Sequence, residues 1–214
     1  MGKNSRQWSE ASEVISMFPS LVWKTQIEPR LRDAMRVQIL AALADMRQGA
    51  PPLEAGQGWQ SVQDFHQHEA MRELVSCIDH CAAGVLRFLC IGAADYEITG
   101  CWATVLAPGA SHKLHSHPNN FLSGVYYVRT GEGANTINFH DPRKQANVIR
   151  PPVTELTAQN TDQVVVQVRE GTLLLFPSYL EHSVDANGSA DERVSISFNL
   201  MFSSFAQRLS KPLW

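Results

Sequence analysis

From Gly92 to about residue 205 the chain shows no helical stripe, and this most limits what it can fold into. Segments 96–106, 121–128, 134–139, 163–168 and 171–176 are each of strand length and rich in Val, Ile, Thr or aromatic residues. A further segment, RVSISFNL, alternates strictly: Arg193, Ser195, Ser197 and Asn199 share one face, and Val194, Ile196, Phe198 and Leu200 the other. The breaks Pro108-Gly109, Gly131-Glu132-Gly133, Glu170-Gly171 and Asn187-Gly188 read as turns, because glycine and asparagine tolerate the backbone that tight turns need. So many strands joined by such short connections predict a β structure that closes on itself.

Ahead of it the pattern is helical. Residues 18–27 read as an opening strand, and Pro29 stands where a first helical turn accepts proline. Leu31, Met35, Ile39, Leu43 and Met46 then recur at helical spacing until Gly49, Pro51 and Pro52. Residues 54–63 read as irregular, with Trp59 their one large anchor. A second helix is expected from near Asp64 to about Cys90 on the stripe Met71, Leu74, Ile78, Val85 and Phe88. The fold class is therefore α+β, with helices covering a sheet. We expect one domain over 1–214: a helical support with a leading strand at 18–92, a β core at 93–205 and a tail at 206–214.

The 214 residues carry a formal net charge of −3 and are 44% apolar, enough for one domain with a sizeable core. No basic stripe interleaved with aromatics suggests nucleic acid, and no run approaches a membrane span or an export signal. A cytoplasmic protein is expected. Cys77, Cys81, Cys90 and Cys101 lack a second close Cys or His pair and read as free thiols. The closing KPLW, ending on Trp214, is a candidate homodimer contact.

The chemistry concentrates in SHKLHSHPNN. His115 and His117 are two residues apart, so in an extended segment both imidazoles point to one face and converge on one ion. A mononuclear catalytic metal needs about three protein ligands, and His182 in FPSYLEHSV is the third candidate. His112 is an odd step from His115, so an unbroken strand turns it to the opposite face; it reads as supporting a ligand or facing substrate. His66, His68 and His80 read as ordinary helix histidines. Asp141 reads as a turn cap before Pro142 and as a distant candidate for a missing ligand, and Arg143 as a weaker anion contact. The polar face of Arg193, Ser195, Ser197 and Asn199 suits a cavity wall, with a guanidinium able to fork onto a carboxylate. Trp102, Phe121, Tyr126 and Phe198 read as packing residues.

The order HxHPN, SGVYYV, INFHDPR, GTLLLFPSYLEHSV and RVSISFN, over roughly residues 18–205, resembles the 2-oxoglutarate- and iron(II)-dependent oxygenases of the double-stranded β-helix type. The resemblance implies a jelly-roll, cupin-like barrel flanked by N-terminal helices. It implies hydroxylation of a C–H bond in a small molecule or an amino-acid side group, with succinate and carbon dioxide as co-products. It implies iron(II) on His115, His117 and His182. It also implies 2-oxoglutarate held by Arg193 and Tyr127, with Ser195 beside them, and dioxygen as co-reactant. His117 stands where that superfamily has a carboxylate. Three neutral imidazoles leave a divalent ion at +2, where a carboxylate leaves +1. Two alternatives remain: a three-histidine iron dioxygenase that uses no 2-oxoglutarate, and a cupin-like binding protein without turnover. Arg193 separates the first of these, because a dioxygenase chelated by its own substrate needs no basic residue at that position.

Overall fold

The computed structural model describes residues 9–92 and 95–206. Strand β1 (Trp23–Gln26) leads into helix α1 (Pro29–Met46). Pro29 sits in the first turn, where its missing N–H costs no helical bond, and the Glu28 carboxylate accepts from Leu31 N at 3.0 Å. After the short β2 (Gly58–Gln60) comes α2 (Arg72–Phe88). The strands follow: β3 (Tyr96–Leu106), β4 (His112–His115), β5 (Leu122–Arg129), β6 (Thr136–His140), β7 (Gln163–Gln167), β8 (Thr172–Pro177), β9 (His182–Val184) and β10 (Arg193–Phe202), then a last turn of helix, α3 (Ser203–Ala206).

The strands form two sheets with antiparallel pairing, in the orders β1-β8-β5-β10-β3-β2 and β4-β9-β6-β7. This is the double-stranded β-helix that the motifs imply. The alternation of β10 explains how the layers stack. Val194, Ile196, Phe198 and Leu200 join Met35, Ile39 and Leu43 of α1 and Leu74, Ile78 and Val85 of α2 in one core on the outer face of the larger sheet. A second, smaller core lies between the sheets, built from Val125 and Tyr127, Ile137 and Phe139, Leu174 and Phe176. Strands β5 and β8 feed both cores, because successive side chains leave on opposite faces. Gly124 is required where β5 pairs with β10 opposite Phe198: a Cβ there would collide with the Phe198 ring and stand 2.8 Å from the Leu174 carbonyl oxygen.

Four expectations need correction. The second helix begins at Arg72 rather than near Asp64, because residues 65–71 form two separate 3₁₀ turns. His68 between them is extended, and its Nδ1 accepts from Ala70 N at 3.2 Å, which interrupts a continuous helical ladder. Residues 54–63 are not wholly irregular, since β2 lies along β3 with Gly58 opposite Leu106. A Cβ at Gly58 would meet Leu106 at 3.0 Å, so the glycine that suggested a loop is what lets the strand approach. Phe88 does not join the buried stripe; it is 64% exposed and packs edge-on against Trp23. Trp102, read as packing, lines the cleft described below. The four cysteines are free, as expected, with Cys77 and Cys81 half-buried. Among the described residues no helix is long and apolar enough to cross a membrane. The KPLW segment and Trp214 lie outside the described residues.

Candidate active site

His115 pairs with His182 across β4 and β9, and His182 in turn pairs with Phe139 of β6. His117 lies just past the end of β4, its backbone N–H held by the Ser178 carbonyl at 3.0 Å. This brings three imidazoles together whose candidate ligand atoms all lie within 4.8 Å of one another. Ring centroids are 4.3 Å apart for His115 and His182, 5.1 Å for His115 and His117, and 5.2 Å for His117 and His182. Two of the rings are oriented by backbone carbonyls, His115 Nδ1 on Lys113 at 2.7 Å and His182 Nδ1 on Leu180 at 3.0 Å. A carbonyl only accepts, so both Nδ1 atoms carry the proton and both Nε2 lone pairs are free to bind a metal. Burial, aided by His115, pushes the His117 pKa down to about 4. Burial pushes His182 down to about 3, against the opposing pull of its Leu180 hydrogen bond. Both are therefore neutral at physiological pH, the form in which imidazole binds metal.

The three histidines open onto a cleft between the two sheets. Arg193, Ser195 and Ser197 of β10 form one wall, with Tyr127 and Val125 from β5 and Thr104 and Trp102 from β3 beside them. Arg193 is 3% exposed. Its guanidinium lies 5.2 Å from the Tyr127 ring centroid and donates once, to the Thr136 carbonyl at 3.3 Å, while its Nε has no partner among the described residues. Burial lowers the Arg193 pKa, yet a guanidinium remains charged at any physiological pH. The Tyr127 hydroxyl is also buried without a hydrogen bond, and burial pushes its pKa up to about 12, against the pull of the Arg193 cation. Among the described residues no Asp or Glu lines the cleft. A buried cation without an acid, beside idle donors, is costly unless a ligand supplies the anion.

The structure thus gathers His115, His117, His182, Arg193, Tyr127 and Ser195 in one cleft, and it leaves other sequence candidates out. Asp141 is taken up by Arg143, which donates to it from Nε at 3.0 Å and from a terminal nitrogen at 2.7 Å, and it caps the turn by accepting from Arg143 N at 2.9 Å. That pair accounts for both side chains, and neither lines the cleft. His140 bonds Ser183 through Nε2 at 2.9 Å. Asn199 does not line the cleft either: Ser123 Oγ donates to its Oδ1 at 2.7 Å and accepts from Ser178 Oγ at 2.9 Å, a buried polar relay under the loop that carries His117. His112 faces the cleft rather than away from it, because the pairing of β4 slips between His112 and His115. Sequence reasoning missed Gln60, which reaches the cleft from β2 and bonds Thr104 Oγ1 at 3.4 Å, and Trp102, whose ring centroid lies 5.7 Å from that of His117. Trp102 is directed inward by its register opposite Ser197, which only the pairing of β3 with β10 reveals.

Three imidazole nitrogens within one ion's reach fit a divalent transition metal, and the orphaned Arg193 and Tyr127 donors fit a carboxylate. Residues 100–199 match the family described as "Putative 2OG-Fe(II) oxygenase". No protein of curated function matches the sequence. Among solved structures, the fold is similar to the non-heme α-ketoglutarate-dependent carbocyclase SnoK from nogalamycin biosynthesis, with 15% identity over 91% of this protein and 89% of that one and a TM-score of 0.62. It is similar to a prolyl-4-hydroxylase of Pseudomonas putida, with 17% identity over 86% and 93% and a TM-score of 0.58. HygX from Streptomyces hygroscopicus, solved with nickel and 2-oxoglutarate bound, has 12% identity over 86% and 83% and a TM-score of 0.60. At these identities the structural likenesses speak to the fold.

Proposed function

We propose that the protein is a 2OG-Fe(II) oxygenase, as the family match of residues 100–199 supports, in which His115, His117 and His182 hold the iron while Arg193 and Tyr127 hold 2-oxoglutarate. The observation that carries the cosubstrate assignment is the Arg193 guanidinium, buried with an idle Nε and no acid among the described residues of the cleft. A dicarboxylate bound there supplies the missing charge and acceptors. Ser195 lies between Arg193 and Ser197 on the same wall and offers a further hydroxyl to the same ligand.

Held by His115, His117 and His182 with 2-oxoglutarate on Arg193 and Tyr127, iron(II) would supply, with dioxygen, oxidative decarboxylation to succinate and carbon dioxide coupled to oxidation of a substrate C–H bond. The protein's own part is positioning. The carbonyls of Lys113 and Leu180 fix the His115 and His182 rings, and burial keeps His117 and His182 unprotonated. Arg193 orients one carboxylate, and the apolar walls of Val125, Ile137 and Phe176 limit water. The remaining space, lined by Gln60, Trp102, Thr104 and Ser197, suits an uncharged polar or aromatic group, so the substrate is a small molecule or an amino-acid side group presenting one.

The test is an anaerobic titration of apoprotein with iron(II) and then 2-oxoglutarate, followed by the visible metal-to-ligand charge-transfer band. A saturable band is expected. His182→Ala should lose the metal, and Arg193→Ala should keep it while weakening 2-oxoglutarate by about 30-fold or more, the usual cost of removing one side of a buried charge pair. One tightly bound iron without the band would favour a dioxygenase that uses no 2-oxoglutarate, and no bound iron would remove both enzyme readings.

A further inference from the structure

We propose that His112 is a second anchor for the 2-oxoglutarate that Arg193 binds, donating one imidazole N–H to its far carboxylate; this rests on the function proposed above. His112 and His115 are three residues apart on β4, but their partners Val184 and His182 are only two apart on β9. That mismatch is a bulge, and it cancels the odd step that would turn the two rings to opposite faces. Both therefore line the cleft.

His112 does not belong to the metal cluster. Its ring meets that of His115 edge-on at 6.0 Å, and it is not among the three residues whose ligand atoms lie within 4.8 Å of one another. Nor is it spent within the protein: its ring makes no hydrogen bond to any described residue, whereas His115 and His182 each have one. Arg193 lines the same cleft as His112. Three groups with unspent donors, His112, Arg193 and Tyr127, thus share a cleft whose described residues offer them no carboxylate. An anion accepts from all three.

The division of labour is physical. Arg193 contributes the charge, and the His112 imidazole adds a directed hydrogen bond from the same cleft. Two donors fixed relative to the histidine cluster set the distance at which the far carboxylate is held. The pair should therefore select five-carbon 2-oxoglutarate over four-carbon oxaloacetate and six-carbon 2-oxoadipate.

The experiment is the same anaerobic titration, run with wild-type protein, His112→Ala, His112→Gln and His112→Asn, against 2-oxoglutarate, oxaloacetate and 2-oxoadipate. His112→Ala should weaken 2-oxoglutarate about tenfold or more, the range for a hydrogen bond to a charged group. It should leave iron affinity within about threefold of wild type and narrow the preference among the three acids. One of the two amides, which place an N–H where Nε2 or Nδ1 stands, should recover most of the affinity; a merely structural role predicts no such rescue. An unchanged 2-oxoglutarate Kd in His112→Ala, beside a normal wild-type band, overturns the His112 assignment alone. Loss of iron in His112→Ala overturns it in favour of a metal-site role. A wild-type protein that binds iron but shows no band overturns the function on which the assignment rests, and the assignment with it.

Discussion

The candidate metal site is built from three imidazoles with no carboxylate among them, and the consequence is electrostatic. Three imidazole ligands and no acid among the described residues of the cleft would leave a bound divalent ion its full charge toward incoming anions. His117→Asp should therefore retain metal but weaken 2-oxoglutarate about tenfold, measured by the same titration, since even at an effective dielectric near 20 a nearby like charge costs the ligand on the order of kilocalories. The depressed histidines also fix a pH dependence. His117 and His182 have folded pKa values of about 4 and about 3, below the ordinary 6.5. As pH falls below 6.5 the unfolded state takes up protons that the folded state refuses, so apoprotein stability declines down toward pH 4. A falling apoprotein Tm between pH 7 and pH 4.5 is expected, with a smaller fall in His182→Ala. At this scale the sequence was readily legible: the HxH spacing, His182 and Arg193 are the residues the cleft gathers. Trp102 and Gln60 were not, because an aromatic or an amide in a strand does not reveal which neighbour it meets.

The elements show how the ligands are held. The loop carrying His117 is tied by its backbone to the Ser178 carbonyl, and Ser178 in turn closes a buried hydroxyl-amide relay through Ser123 to Asn199. Asn199→Leu should cost about 1–3 kcal/mol, because it strands a buried hydroxyl. The same change should weaken iron binding although residue 199 touches no ligand; thermal melts and iron titration of the variant check both. Strand β10 serves both sides of its sheet. Its odd positions supply Arg193, Ser195 and Ser197 to the cleft, while Val194, Ile196 and Phe198 pack under the helices. That division follows from alternation alone. The bulge in β4 does not, since an extra residue is visible only against the strand it pairs with.

For the whole molecule, the two cores separate stability from chemistry. Ile78 is fully buried between α2 and the larger sheet, in the core remote from the histidines. Ile78→Ala should cost about 2–5 kcal/mol, as truncations in packed cores do. It should leave the iron and 2-oxoglutarate affinities of the folded protein within about twofold, read by melting and titration at low temperature. The N-terminal part is not a detachable support. β1 pairs with β8 and β2 with β3, so both edges of the larger sheet come from residues before 92. A protein truncated to residues 93–205 is expected to lose cooperative unfolding, because it exposes those edges and the whole apolar face beneath α1 and α2.

Local spacing was enough to determine the change from helices to strands, the two faces of β10, and the residue types able to hold a metal and an anion. Each of these depends on the sequence's own periodicity and on the donors and acceptors that each residue type carries. Which residues finally meet was decided by pairing between segments far apart in sequence. His115 found His182 through β4 and β9, His112 entered the cleft through a slip in that pairing, and β2 brought Gln60 to it. Strand register is a property of two segments at once, and so it is absent from the pattern of either one.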